Sequence, residues 1–178
     1  MPGSRRLSQR ISEGDGIAII ARVGDVDGAR TAEEQGAKAV AVDRPIEGIR
    51  GATTLPLLWI GAGTPIDADA RTIRPDDDLD GGELESVVDV RDEEELELAL
   101  ERLDPEIFLL SARGDDEEDA LDTVLELLPD VPAGKLAIAE VDVGSREEVL
   151  ALERAGIDAV LVAGGHVGEL VGARPPEV

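Results

Sequence analysis

The feature that most constrains this chain is a repeat, in which an apolar run, an acidic helical run and a glycine follow one another. It recurs roughly every 20 to 25 residues. The second half shows it most clearly, where ESVVDV precedes RDEEELELALERL, EIFLLSAR precedes DDEEDALDTVLELL, and KLAIAEVDV precedes SREEVLALERAG. Strands that alternate with helices form βαβ units, so the repeat predicts a parallel sheet.

Eight segments have the apolar composition and the length of strands. The fourth follows the third so closely that no helix fits between them. In order along the chain, the eight segments are 16–23, 38–43, 55–63, 68–73, 86–90, 106–113, 135–143 and 158–165.

The helices of the second half are predicted by the spacing of their leucines. In 92–103, Leu96, Leu100 and Leu103 fall on one face while the glutamates fall elsewhere, and 117–128 repeats the pattern. The segments after the second, third and fourth strands are too short for full helices. The sequence therefore predicts a molecule with a well-covered second half and a thin first half.

The ends of the last full helix are also marked in the sequence. Ser145 is followed three residues later by Glu148, which fits a capping box at a helix start. Gly156 lies where a glycine commonly ends a helix. We therefore expect this helix to run between residues 145 and 156.

Eight βα units that close on themselves form a (β/α)8 TIM barrel, which typically takes about 250 residues. At 178 residues this chain would be a very small barrel, with shortened or missing helices in its first half. We expect a single α/β domain over 1–178, with 1–14 as an N-terminal extension and 74–82 as an acidic loop. The alternative is an open doubly wound sheet, which suits the length but predicts a GxGxxG fingerprint that GDVDGA does not match.

The charge is strongly acidic, with 41 Asp and Glu against 17 Lys and Arg and a formal net charge of −24. Phosphate backbones require clustered basic residues, so nucleic acid is excluded as a partner. Abundant acids with arginine in place of lysine are typical of halophilic proteins, since concentrated salt screens the repulsion. An acidic protein from a GC-rich organism is the alternative.

Location and cofactors are constrained by what the sequence lacks. It has no apolar run of membrane length, and no apolar segment follows the basic residues near its start, so we expect a cytoplasmic protein. It has no cysteine and a single histidine, so we expect no metal site. We expect no cofactor.

Several stretches resemble the indole-3-glycerol-phosphate synthase family. They are SVVDVRDEEELELAL, FLLSARGDD and LAIAEVDVGSREEVLALERAGIDAVLVAGG, with IAIIARVGDVDGARTAEEQGAKAVAV similar to the first βα unit. The resemblance implies a barrel enzyme of tryptophan biosynthesis, which closes and decarboxylates a carboxyphenylamino-deoxyribulose phosphate. Much of the pattern is shared by other phosphate-binding barrels.

The chain departs from this family where the reaction needs lysine. The family's Glu-x-Lys on the first strand is matched by Arg22 and Gly24, and its lysine on the third strand falls in Trp59-Ile60-Gly61. In the family, a lysine acts as the general acid that drives ring closure and decarboxylation. The resemblance therefore implies a relative whose reaction is lost or altered.

Other family positions are kept or changed conservatively. The resemblance carries over Arg113 as an anion clamp and Glu140 as an acid/base group, with Asp89 in place of a glutamate and Ser111 in place of an asparagine. Val141 and Asp142 stand where the family has a serine and a glycine that normally help to hold phosphate, and the Asp142 carboxylate adds repulsion there.

In a barrel, the carboxyl ends of the strands form the site, and the candidates lie there. We expect a small phosphorylated ligand. The catalytic candidates are Glu140, Asp89 and Ser111, and the ligand-binding candidates are Arg22, Arg113, Trp59, Gly164, Gly165 and His166.

Structural alternatives stay open for these residues. The arginines and carboxylates can form a buried ionic network with no chemistry, Trp59 can be core packing, and His166 can be incidental. Two other functions also stay open. One is a non-catalytic barrel that forms a homodimer or binds a partner through apolar surface exposed on its thin half. The other is retained carbon–carbon lyase activity on a sugar phosphate.

Overall fold

A computed structural model of the chain describes residues 6–13, 16–60, 65, 68–77, 84–111, 117–141, 143, 145–163 and 167–171. Its eight parallel strands form a closed barrel in sequence order, which confirms the predicted (β/α)8 fold. The strands are β1 Ala18–Arg22, β2 Ala39–Val42, β3 Leu57–Trp59, β4 Ala70–Ile73, β5 Glu85–Val90, β6 Ile107–Ser111, β7 Leu136–Glu140 and β8 Ala159–Ala163.

The barrel closes through β1, which pairs with both β2 and β8. Arg22 lies opposite Ala41 on one side and Ala163 on the other. The fourth strand takes its place in the barrel, pairing with β3 at Trp59–Arg71 and with β5 along its whole length. An open doubly wound sheet is therefore excluded.

The helices confirm the predicted contrast between the two halves. After β2 there is only the four-residue α3, and the described residues between β3 and β5 contain no helix. Within the described part of the chain, no helix is both long and apolar enough to cross a bilayer. The helices are α1 Arg6–Glu13, α2 Val26–Gln35, α3 Ile49–Ala52, α4 Glu93–Arg102, α5 Glu117–Leu127, α6 Arg146–Ala155 and α7 Val167–Val171.

Helix α6 begins and ends at the residues that the sequence marks. The Glu148 N–H donates to the Ser145 hydroxyl oxygen at 3.3 Å. Gly156 ends the helix with φ +109°, in the left-handed region that glycine enters without a steric penalty. Helix α4 begins in the same way, where Asp92 Oδ1 accepts the N–H of Glu95 at 2.8 Å.

The barrel wall separates two apolar clusters, because alternate side chains of a strand point to opposite faces. The inner cluster fills the barrel with small residues from β1 and β2, such as Ala18 and Ala39, and with larger ones from later strands, such as Leu58 and Ile138. The outer cluster packs the strands against the helices. The barrel interior is therefore a packed core, and a ligand can enter only at its ends.

The amino end of the barrel is closed by α1, which lies in the segment that we expected to be an extension. Leu7 and Ile11 are buried in the inner cluster, at 0% and 4% exposure. Glu85, the first residue of β5, accepts the N–H groups of Leu7 at 2.8 Å and Ser8 at 3.2 Å. The carboxylate thus satisfies two N–H groups in the first turn of α1.

On the thin side of the barrel, the described residues do not expose the apolar surface that we expected there. Leu57, Trp59 and Ile73, which face outward from β3 and β4, are all buried. Arg50 of α3 reaches Asp69 at 2.9 Å, and Asp69 Oδ2 accepts the N–H of Leu57 at 2.8 Å. The hypothesis of partner binding through this side requires an uncovered apolar patch, and the described residues form none there.

Candidate functional site at the carboxyl end of the barrel

The carboxyl end of the barrel brings together four of the predicted site residues. Arg22, Asp89, Ser111 and Glu140 each lie two residues after a side chain of the inner cluster. Because strand side chains alternate, all four point toward the barrel mouth. The apolar interior therefore changes to a polar layer at this level.

Three of these four side chains border a cavity of about 380 Å³, whereas Arg22 is not among its lining residues. All three predicted catalytic residues, Asp89, Ser111 and Glu140, line this cavity. The lining residues are Ile60, Thr72, Asp89, Arg91, Leu109, Ser111 and Glu140. The volume is in the range of small-ligand sites, and the wall combines an apolar floor with a few polar groups.

Arg22 and Glu140 form an ion pair across the β8 position, with Nη2 and Oε1 2.9 Å apart. The two side chains are 49% and 34% exposed. An ion pair with this much solvent contact contributes about 0 to 1 kcal/mol to stability. Both groups therefore remain available to a ligand at little structural cost.

Asp89 is held more tightly than Glu140. The Ser111 hydroxyl donates to Asp89 Oδ1, and Arg74 Nη1 lies 3.3 Å from Asp89 Oδ2. Arg74 also donates to the Asp89 carbonyl oxygen and pairs with Glu95 of α4. The Asp89 side chain is only 17% exposed, so burial and these partners fix its position.

The two carboxylates are therefore suited to different tasks. Asp89 already accepts hydrogen bonds from the Ser111 hydroxyl and the Arg74 guanidinium, so it holds these two side chains in position. Glu140 has a single described partner and is a third exposed, so it is the carboxylate that can accept a proton from a bound molecule.

Trp59 does not lie in the mouth. Its side chain belongs to the outer cluster at 3% exposure, while the next residue, Ile60, lines the cavity. The indole Nε1–H has no hydrogen-bond partner among the described residues. This placement agrees with the packing alternative for Trp59.

Four of the predicted ligand-binding residues cannot be placed, because Arg113, Gly164, Gly165 and His166 lie outside the described residues. Their roles stay predictions. The same holds for Asp142, which the resemblance places beside a phosphate group.

Two arginines of the mouth were not identified from the sequence. Arg74 was assigned to the acidic loop 74–82, yet it holds Asp89, and Arg91 lines the cavity. The signal was present in the alternation: Arg91 follows Asp89 by two residues and Arg74 follows Thr72 by two. On both β4 and β5, the alternation of inward-facing side chains continues to the first residue after the strand.

The two lysines of the chain lie at the opposite end of the barrel. Lys38 directly precedes β2 and Lys135 directly precedes β7, so both are at the amino end. Lys135 Nζ pairs there with Asp104 at 3.0 Å. The mouth therefore receives no lysine side chain from this sequence.

Among the described residues, no cluster of three or more histidine, aspartate or glutamate side chains has the arrangement of a metal site. The charged groups of the mouth are instead arranged as arginine–carboxylate pairs.

Comparison with known proteins gives a partial match. No protein-family model matches the chain. Part of the chain is similar to indole-3-glycerol phosphate synthases. That of Variovorax paradoxus is 37% identical over 76 residues, which cover 43% of this chain and 29% of that protein. That of Delftia acidovorans is also 37% identical over 76 residues, covering 43% and 28%.

The synthase of Acidithiobacillus ferrooxidans is 35% identical over 80 residues, which cover 45% of this chain and 30% of that protein. The matches thus span less than a third of the length of these curated relatives. Together with the closed barrel of eight strands, they support a likeness to this enzyme over under half of the chain.

Proposed function

We propose that the carboxyl end of the barrel binds a small phosphorylated anion, in a divergent relative of indole-3-glycerol phosphate synthase whose reaction is lost or altered. The observation that carries the proposal is the polar layer of the mouth, where arginine–carboxylate pairs surround a cavity of about 380 Å³. Guanidinium groups bind phosphoryl oxygens through two parallel hydrogen bonds. The partial match to enzymes named for a glycerol phosphate supports the same ligand class.

The altered reaction follows from the general acids that the mouth contains. The family's chemistry requires a lysine there, and both lysines of this chain lie at the amino end. Arginine stays protonated throughout the physiological range, so Arg22, Arg74 and Arg91 cannot deliver a proton in place of lysine. Of the two described carboxylates at the mouth, Glu140 is the more accessible, so it is the group that can exchange a proton with a bound molecule.

The binding proposal is tested by thermal unfolding in 1 M KCl with ribose 5-phosphate, glycerol 3-phosphate or inorganic phosphate. Ribose and glycerol serve as uncharged controls. A ligand at about 100 times its dissociation constant adds about 2.7 kcal/mol to stability, which raises the melting temperature measurably. We expect the phosphorylated compounds alone to stabilise the protein. Equal effects of ribose and ribose 5-phosphate, or no effect of either, would contradict the proposal.

The loss of the family reaction needs a separate assay. The carboxyphenylamino-deoxyribulose phosphate substrate is incubated with the protein, and indole formation is followed by fluorescence. We expect no product above the background rate. Product that disappears in Glu140→Gln but persists in the surface variant Arg30→Gln would show that lyase activity is retained.

A further inference from the structure

The three arginines that the structure places at the mouth are held to different degrees. Arg22 is paired with Glu140 at 2.9 Å, and Arg74 is held by both Asp89 and Glu95. Arg91 Nη2 lies 3.8 Å from Asp89 Oδ2, which is too far for a hydrogen bond. Of the three guanidinium groups, that of Arg91 therefore has the weakest contact with a carboxylate.

The backbone of Arg91 is fixed although its guanidinium is not. Arg91 follows directly after β5, and its N–H donates to Glu95 Oε1 at 3.0 Å. Glu95 is itself held by Arg74 and lies in the first turn of α4. A fixed backbone lowers the ordering cost of binding, and a loosely paired guanidinium breaks no hydrogen bond to Asp89 when it turns to a ligand.

Arg91 is also the arginine that contacts the cavity. It lines the space of about 380 Å³ together with Asp89, Ser111 and Glu140, whereas Arg22 and Arg74 are not among the lining residues. Its side chain is 36% exposed. An anion that enters this cavity therefore meets the Arg91 guanidinium before the other two.

Asp89 would repel such an anion unless its own charge were compensated. Arg74 Nη1 compensates it at Oδ2, at 3.3 Å, and the Ser111 hydroxyl donates to the other oxygen, Oδ1, so the carboxylate keeps partners on both oxygens without Arg91. Because Ser111 donates its proton to Asp89, its oxygen presents only lone pairs to the cavity. Ser111 is thus suited to accept from a ligand hydroxyl, which leaves the phosphoryl group to Arg91.

From this arrangement we infer that Arg91 is the residue that binds the phosphoryl group, at the β5–β6 side of the mouth. Arg74 acts as a positioning residue, since it keeps Asp89 neutralised while Arg91 exchanges its loose contact for the ligand. The inference rests on the proposed function and specifies which part of the mouth performs it.

The test uses the full chain in 1 M KCl and glycerol 3-phosphate as the probe, with affinity measured by isothermal titration calorimetry. Arg91→Gln should weaken binding about 10- to 100-fold, because a charge-assisted pair of hydrogen bonds is lost. Arg91→Lys keeps the charge but not the planar fork, so we expect an intermediate loss. Arg30→Gln removes the same charge from the exposed face of α2 and should leave binding unchanged.

The outcomes separate this inference from the proposed function. Absence of binding to the unmodified protein would overturn both. Binding that Arg91→Gln leaves intact, or that Arg91→Gln and Arg30→Gln weaken equally, would overturn the role of Arg91 alone. Melting temperatures without ligand establish that each variant is folded, and Arg91→Lys provides the same comparison if Arg91→Gln does not fold.

Discussion

The Arg22–Glu140 pair distinguishes a ligand-binding mouth from a buried ionic network. Truncating one partner of a buried pair costs about 3 to 5 kcal/mol, because the other charge is left without compensation. Here the side chains are 49% and 34% exposed, so water solvates whichever partner remains. We therefore expect Arg22→Ala to lower the free energy of unfolding by less than about 1 kcal/mol.

Urea denaturation in 1 M KCl measures this difference, with the fluorescence of Trp59 as the probe, since it is the only tryptophan and is buried. Arg74→Ala is the matched comparison, because it strands Asp89 and Glu95, which are 17% and 18% exposed. We expect it to cost about 2 kcal/mol or more. If Arg22→Ala destabilises the protein as much as Arg74→Ala, the mouth is a structural network and the argument for a free pair fails.

Three further predictions concern stability. Leu7→Ala should cost about 2 to 5 kcal/mol, because Leu7 is fully buried in the amino end of the barrel; a loss below about 1 kcal/mol in urea denaturation would mean that α1 does not close it. The Thr53 hydroxyl and Thr54 N–H lower the pKa of Glu33 below its ordinary value of 4.5. These hydrogen bonds therefore stabilise the folded protein fully above about pH 4.5, and that contribution is lost as the pH falls through the lowered pKa of Glu33. We expect the difference in the free energy of unfolding between the unmodified protein and Glu33→Gln to become smaller in acid; a difference that grows in acid would contradict this assignment. Raising KCl from about 0.1 to 1 M shortens the Debye length from about 10 to 3 Å, so the melting temperature should rise; a constant value would show that the net charge of −24 does not limit stability.

The architecture could be predicted because its signals are local. Leu96 is buried in α4, and Leu100 and Leu103 pack against the same outer cluster, as their spacing indicates. The cap of α6 at Ser145 depends on residues within one turn. Such features require only the periodicity and the chemistry of neighbouring residues.

The closure of the amino end could not be predicted in the same way. Leu7 and Ile11 are four residues apart, which is a helical spacing, but α1 is short and its burial depends on Glu85, 78 residues away from Leu7. Similarly, Arg74 looked like part of a solvated loop because its partners lie on β5 and α4. Contacts between segments distant in sequence decide both cases.

The candidate site was predicted in part for the same reason. The rule that the carboxyl ends of barrel strands form the site grouped Arg22, Asp89, Ser111 and Glu140, and the structure brings these four side chains to the mouth. The rule does not say which arginine pairs with which carboxylate. That pairing depends on strand register and on the length of each side chain. It leaves Arg91 with the weakest carboxylate contact of the three arginines.

The most direct test of the account is a crystal structure of the protein grown in high KCl with a saturating concentration of ribose 5-phosphate. We predict that the ligand occupies the cavity of about 380 Å³, with its phosphoryl group within hydrogen-bond distance of Arg91 and a hydroxyl group near Ser111. A mouth without ligand in a crystal grown under saturating conditions, or a ligand bound elsewhere on the barrel, would contradict the central claim that this end of the barrel is an anion-binding site.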